Sequence, residues 1–180
     1  MLVKADRSAL VVIDIQDKLA PAVAAIERVV ANVGVLIAAA TRLGVPVLVS
    51  EQYPKGLGST VKDVSSLVPE GARVAKVHFS CMGDEGFARR FKSLDRRQVV
   101  LAGIEAHVCV LQTAVDLLQR GFDVFVVGDA TSSRTSENHR AALRRLSSDG
   151  VRIVTTEMVL FEWLERAGTP EFKELSRLIR

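Results

Sequence analysis

The 180-residue chain is 48% hydrophobic and 25% charged, the balance of a globular protein, and its length suits a single domain over residues 1–180. Its 24 Lys and Arg exceed its 21 Asp and Glu by three without forming an uninterrupted basic block, which gives no reason to expect a nucleic-acid partner. The N-terminus lacks the apolar stretch of a signal peptide, and the most apolar helical segment falls short of the roughly 20 residues that cross a bilayer, so we expect a cytoplasmic protein without a membrane partner.

Apolar runs rich in Val and Ile alternate with helix-like segments along the chain. The predicted strands cover residues 9–15, 45–49, 74–77, 99–101, 124–127 and 152–155. The predicted helices cover residues 21–44, 85–94, 108–120 and 137–148, and two short helices occupy residues 158–180 around Gly168. Strands that alternate with helices pair in parallel through right-handed crossovers. We therefore predict a three-layer α/β/α fold with a six-stranded, mainly parallel sheet, for which we assume the order 3-2-1-4-5-6.

Residues 50–73, between the second and third predicted strands, are too many for an ordinary connection. The segment contains two prolines and three glycines, although residues 61–67 have the pattern of one or two helical turns. Long loops of this kind often cover binding sites or form interfaces.

Ligands of open parallel sheets bind beyond the carboxyl ends of the strands, where the strand order reverses. Residues that can carry chemistry lie near these ends: Asp14 at the first strand, Lys76 at the third, Cys109 after the fourth and Asp129 after the fifth. In the expected order, strands 1 and 4 flank the reversal. Asp14 and Cys109 should therefore face one crevice.

Each of these residues also has an ordinary structural explanation. Asp14 interrupts an apolar run, where a carboxylate needs a partner, and it either caps the following turn or belongs to a site. Lys76 is either an exposed lysine at a strand end or a buried partner of Asp14. Cys109 stands at the predicted start of a helix, which together with Lys76 favours the thiolate, but free cysteines are often inert core residues.

The second cysteine, Cys81, lacks a helix-start position, and we assign it to packing or to the rim of the site. The two cysteines form neither a CxxC pair nor a disulfide framework, so we expect reduced thiols and no zinc site.

Three segments together resemble the motifs of isochorismatase-like cysteine hydrolases. They are LVVIDIQ at residues 10–16, KVHFS at 76–80 and GIEAHVCV at 103–110, in the family's order and at its spacing. The resemblance covers almost the whole chain. GIEAHVCV, with SEQYPKGLGST at residues 50–60, is most similar to a little-characterised isochorismatase-domain branch.

The resemblance implies a parallel sheet of six strands and a catalytic triad of Asp14, Lys76 and Cys109. By this analogy Asp14 accepts the thiol proton, Cys109 attacks a small amide or related carbonyl compound to give a covalent thioester, and Lys76 stabilises the charged groups. The backbone N–H groups of Glu105 and Cys109 would receive the oxyanion, with a cis peptide between Ile104 and Glu105.

We take Gln16, Tyr53 and Phe79 as candidate residues of the substrate pocket. Members of the family usually assemble, so we expect a homo-oligomer that binds a small-molecule substrate. Metal-dependent nicotinamidases of the superfamily carry Asp and His ligands after the second strand, where this chain has the sequence SEQY. We therefore predict no metal and no other cofactor.

Two departures from the family pattern leave the specificity open: Ala106 replaces a common Thr, and Leu19 replaces a frequent Phe. Isochorismatases that cleave a vinyl ether lack the nucleophilic cysteine, so Cys109 argues against that reaction. A nucleotide-binding protein is disfavoured, because no glycine-rich turn follows the first strand. The other alternative keeps the fold with a silent triad, as an oligomeric scaffold or binding protein.

Overall fold

A parallel six-stranded sheet forms the centre of the computed structural model, which describes residues 1–179. The strands lie in the order β3-β2-β1-β4-β5-β6, and each neighbouring pair is parallel. Their bounds are β1 Ser8–Ile13, β2 Val47–Gln52, β3 Arg73–Lys76, β4 Gln98–Ile104, β5 Asp123–Ser132 and β6 Arg152–Val154. The predicted strand order is confirmed.

Helices cover both faces of this sheet. They are α1 Ile26–Leu43, α2 Pro54–Leu57, α3 Lys62–Ser65, α4 Glu85–Lys92, α5 Leu111–Gln119, α6 Ser136–Ser148, α7 Thr156–Leu164 and α8 Pro170–Leu175. Helices α1, α7 and α8 contribute to one apolar core, and α4, α5 and α6 to the other. Alternate residues of β1 serve the two cores: Leu10 and Val12 pack into the first, Val11 and Ile13 into the second.

The first long helix begins later than the sequence predicts. Pro21 lies in a short 3-10 turn, Ala20–Ala22, and α1 starts only after Ala25, whose φ is 51°. The opposite end agrees with the prediction. Gly44, with φ 70°, ends α1, and its N–H donates to carbonyls of the last helical turn.

The long connection between β2 and β3 folds back against the chain that follows β1. Gln16 forms an antiparallel bridge with Thr60. Thr60 in turn donates to the Glu51 carboxylate through its backbone N–H at 2.8 Å and its hydroxyl at 2.7 Å. The predicted helical turns of this segment are present as α3. Within residues 1–179, no helix is both long and apolar enough to cross a membrane.

A glycine allows the two central strands to approach closely. Gly103 of β4 pairs with Ile13 of β1 and has φ 112°. A Cβ atom at this position would lie 2.1 Å from the Ile13 carbonyl oxygen, far inside contact distance. The absence of a side chain at Gly103 therefore allows the carboxyl ends of β1 and β4 to approach closely at the point where the strand order reverses.

Candidate active site

Asp14 lies directly after β1, completely buried, with φ 51°. One carboxylate oxygen, Oδ1, accepts a hydrogen bond from the Ser50 hydroxyl at 2.7 Å, and the other, Oδ2, accepts from Lys76 Nζ at 2.8 Å. The carboxylate therefore bonds to side chains from β2 and β3. Both carboxylate oxygens are used in this way, so Asp14 does not act as a cap of the following turn.

Lys76 is the last residue of β3, and its side chain is fully buried. Besides Asp14, its ammonium group donates to Gln52 Oε1 at 2.6 Å and to the carbonyls of His78 at 3.1 Å and Phe79 at 3.2 Å. Burial by itself lowers the pKa of Lys76, but the negative charge of Asp14, and of the two thiols when ionised, outweighs it and raises the pKa. Lys76 is thus a buried cation paired with Asp14, and the exposed alternative is wrong.

Cys109 lies in a π-helical turn, Ala106–Val110, that joins β4 to α5. Only 6% of the residue is exposed. The pKa of its thiol is raised, first because burial disfavours the thiolate, and then because the Asp14 carboxylate acts on the thiol by its charge and as a hydrogen-bond acceptor. The positive charge of Lys76 lowers the pKa of the thiol, but by less than these effects raise it. Burial and the Asp14 charge therefore act against the thiolate that the sequence suggests near neutral pH, and the ionisation of Cys109 there stays a prediction.

The chain turns into the Cys109 segment through a cis peptide bond between Ile104 and Glu105, as expected. The Glu105 carbonyl accepts from the N–H groups of Val108 at 3.1 Å and Val110 at 3.2 Å, but not from that of Cys109 between them. Among the residues described, no protein acceptor takes the Glu105 N–H. Glu105 directly precedes this turn and Cys109 lies within it, and the role of their N–H groups as oxyanion donors stays a prediction.

Ser133 and Arg134, the two residues that follow β5, contact this turn through their side chains. The Glu105 carboxylate is 9% exposed and forms a two-point ion pair with Arg134, at 2.8 Å and 3.2 Å. His107 Nδ1 lies 3.0 Å from the Ser133 hydroxyl. These contacts of Glu105 and His107 hold the first residues of the turn and restrict their movement.

Cys81 lies closer to the charged centre than the sequence indicates. The residue is fully buried, and its N–H donates to the Thr113 hydroxyl at 3.0 Å. Burial raises the pKa of the Cys81 thiol to about 11, the Asp14 charge adds to the increase, and Lys76 opposes it. The assignment of Cys81 to packing agrees with its burial, but its thiol also experiences the charges of Asp14 and Lys76.

The three candidate pocket residues occupy different positions. Gln16 is completely buried, and its amide bonds to the backbone of Gln52 and Gly58, so it offers no free donor to a ligand. This corrects its assignment to the pocket. Tyr53 and Phe79 are exposed, and Tyr53 lines an apolar depression of about 320 Å³ beside Lys76 and Val77. Both remain candidates for contact with a substrate.

Sequence reasoning missed Ser50 and Gln52, which bond to the charged pair from β2. The signal for them was the change from apolar to polar residues at the end of the second predicted strand. Asp129 has a structural role: its carboxylate accepts from the N–H and the hydroxyl of Thr156 at the start of α7. Within residues 1–179, no three His, Cys, Asp or Glu side chains are grouped as metal ligands.

This site combines four elements of acyl-transfer chemistry. It has a buried thiol, a carboxylate that can accept the thiol proton, an ammonium group that donates to this carboxylate, and the Glu105 N–H, for which the described residues supply no acceptor.

Comparisons with known proteins identify the family to which this chain is similar. A family model described as the isochorismatase domain matches residues 8–158. Isochorismatase domain-containing protein 1 of Danio rerio is 41% identical over 169 residues, which are 93% of this chain, and isochorismatase domain-containing protein 2 of Danio rerio is 41% identical over 174 residues, or 96%. The matches span 59% of the first relative and 86% of the second. The solved structure of MAR1 ribonuclease from Caenorhabditis elegans is 37% identical, with a TM-score of 0.92, over 99% of this chain and 92% of that chain.

Proposed function

The chain belongs to the isochorismatase-domain family, and from this premise we propose that it is a cysteine hydrolase of a small amide or related carbonyl compound. The observation that carries the proposal is the meeting of Asp14, Lys76 and Cys109 from three separate strand ends. Two buried charges and a thiol stabilise a fold less well than apolar side chains of similar size, so their grouping favours a chemical role.

In the first half of the reaction, the substrate carbonyl oxygen lies against the N–H groups of Glu105 and Cys109. Asp14 accepts the thiol proton as the sulfur forms a bond to the carbonyl carbon. The oxygen takes up the negative charge and is stabilised by the two N–H donors, each worth about 3 kcal/mol in such sites. The carbon–nitrogen bond then breaks, the amine leaves with the proton held by Asp14, and a thioester remains on Cys109.

In the second half, a water molecule replaces the amine. Asp14 accepts a proton from the water as its oxygen attacks the thioester carbon. The carbon–sulfur bond breaks, the acid leaves, and the proton returns to the sulfur. Lys76 holds the Asp14 carboxylate in place for each proton transfer through the hydrogen bond from Nζ to Oδ2 at 2.8 Å.

Acyl transfer accounts for the site better than RNA cleavage does. The similar Caenorhabditis elegans protein is named a ribonuclease, so RNA is a substrate to test. However, RNA strand cleavage can use the neighbouring hydroxyl of RNA itself as nucleophile and has no need of a protein thiol. A nearly buried thiol beside a carboxylate is what an acyl intermediate requires.

The experiment is a substrate screen with wild-type protein, Cys109→Ala and Cys81→Ser. Small amides, carbamoyl compounds and a single-stranded RNA are incubated with each, and released ammonia, amine or RNA fragments are measured. The proposal predicts turnover of at least one carbonyl compound that Cys109→Ala loses and Cys81→Ser retains in part. A folded wild-type protein that turns over no carbonyl compound would favour the silent scaffold on the same fold.

We also propose a homo-oligomer in the cytoplasm. Val77 and Phe79, next to the site, expose 63% and 55% of their surface, and a second copy could cover them. The two buried free thiols suit a reducing compartment. Sedimentation velocity at two protein concentrations tests the assembly.

A further inference from the structure

Gln52 makes the shortest of the four hydrogen bonds to the Lys76 ammonium group. The distance from Nζ to Gln52 Oε1 is 2.6 Å, compared with 2.8 Å to Asp14 Oδ2 and more than 3 Å to the two carbonyls. Gln52 and Lys76 are direct neighbours in the register of β2 and β3. Their side chains therefore lie on the same face of the sheet.

The orientation of the Gln52 amide is fixed from its nitrogen end. Nε2 donates to the Val77 carbonyl at 2.7 Å, so the amide oxygen must face Lys76. If the amide were reversed, its NH2 group would face the ammonium and its oxygen the carbonyl, and both hydrogen bonds would be lost.

The backbone of Gln52 is fixed as well, by Gln16. The Gln52 N–H donates to Gln16 Oε1 at 2.6 Å, and Gln16 Nε2 donates to the Gln52 carbonyl at 2.9 Å and to the Gly58 carbonyl at 2.7 Å. Gln16 is completely buried and Gln52 is 8% exposed. A chain of two buried glutamines thus extends from the loop after β1 to the lysine.

A neutral acceptor at this position preserves the charge of the pair. Lys76 and Asp14 together carry no net charge, and the other titratable groups that act on Lys76 are Cys81 and Cys109. An amide oxygen holds the ammonium without competing for its charge, whereas a carboxylate would add a second negative charge near the thiol. The ammonium has three N–H donors for four acceptors, so loss of Gln52 would let it move toward the carbonyls of His78 and Phe79.

We propose that Gln52, supported by Gln16, is a positioning residue that holds the Lys76 ammonium against Asp14 and beside Cys109. The inference rests on the proposed function for its effect on turnover. Its effect on the reactivity of the thiol can be measured without any substrate.

Two variants test the role of Gln52. Gln52→Met keeps the length of the side chain and removes the acceptor, and it should lower kcat at least tenfold while KM changes less than threefold. Gln52→Glu keeps an acceptor and adds a negative charge, which disfavours the thiolate. The rate of Cys109 alkylation by iodoacetamide at pH 8, followed by peptide mass spectrometry, should fall about tenfold, the equivalent of one pKa unit.

Matched changes at the exposed residue Gln119 of α5, Gln119→Met and Gln119→Glu, serve as controls and should leave both quantities unchanged. Fluorescence of the buried Trp163 verifies folding, and Gln52→Glu still tests the inference if Gln52→Met does not fold. Wild-type kcat in Gln52→Met, or an unchanged alkylation rate in folded Gln52→Glu, would overturn the role of Gln52. If the wild-type protein hydrolyses no carbonyl compound but the alkylation rate falls as expected, the proposed function fails while the positioning of Lys76 stands.

Discussion

Replacement of Lys76 by methionine should destabilise the protein strongly, because it leaves the Asp14 carboxylate buried without its cation. Both side chains of this ion pair are fully buried, and the distance from Lys76 Nζ to Asp14 Oδ2 is 2.8 Å. Removal of one partner from such a pair costs about 3–5 kcal/mol. Typical domains unfold with only about 5–15 kcal/mol, so the predicted loss is a large share of the total.

The charge state fixes the conditions of this measurement. The pKa of Lys76 is raised above its ordinary value of 10.5. Its contribution to stability is therefore fully present below that value and is lost only as the pH rises through the higher pKa of the folded protein. A measurement at pH 7 therefore includes the full contribution of the charged Lys76 side chain to the free energy of unfolding.

Urea denaturation followed by Trp163 fluorescence gives the free energy of unfolding. The matched control is Lys4→Met, which removes the exposed ion pair with Glu165 and should cost less than about 1 kcal/mol. In a double-mutant cycle, Asp14→Asn combined with Lys76→Met should restore at least about 2 kcal/mol relative to the sum of the single changes. A loss below about 1 kcal/mol in Lys76→Met, equal to that of the control, would refute the buried ion pair.

Two further predictions concern the backbone and the thiol. Gly103→Ala should cost more than about 3 kcal/mol in urea denaturation, because its Cβ would collide with the Ile13 carbonyl oxygen in addition to the strain at φ 112°. Gly44→Ala, with φ 70° and no atom within 4 Å of its Cβ, should cost about 1 kcal/mol, and equal losses would contradict the close approach of β1 and β4. Alkylation of Cys109 by iodoacetamide should accelerate about tenfold per pH unit from pH 7 to pH 10, because its pKa is raised, and should exceed that of the completely buried Cys81 throughout. A rate for Cys109 that levels off below pH 9 would show that the thiol ionises more readily than its surroundings indicate.

The sequence was sufficient to predict the sheet, because β1, β2, β4 and β5 each contain an apolar run rich in Val, and segments with helical periodicity separate the strands. Local geometry depends on contacts that periodicity does not reveal. Pro21 has the residue type of a helix start, but the chain makes a 3-10 turn there and α1 begins after Ala25. Trp163 is 3% exposed, and its indole N–H donates to the Ser8 hydroxyl at 3.2 Å, a contact between distant parts of the sequence.

Much of the candidate site follows from the rule that parallel strands end at one edge of the sheet. That rule, with the family motifs, places Asp14, Lys76 and Cys109 together. The partners of the ion pair could not be predicted, because Gln52 meets Lys76 only through the register of β2 and β3. The raised pKa of Cys109 was also hidden, since it depends on how deeply the turn is buried and how near it lies to Asp14.

The most direct test of the proposed hydrolase is to trap the intermediate on Cys109. Wild-type protein is mixed with a substrate found in the screen, quenched in acid within the first turnovers, and analysed by intact and peptide mass spectrometry. We predict a mass increase equal to the acyl group of the substrate, on the peptide that contains Cys109 and absent from Cys109→Ala. Turnover at the wild-type rate in Cys109→Ala, or an acyl group on a residue other than Cys109, would contradict the proposal.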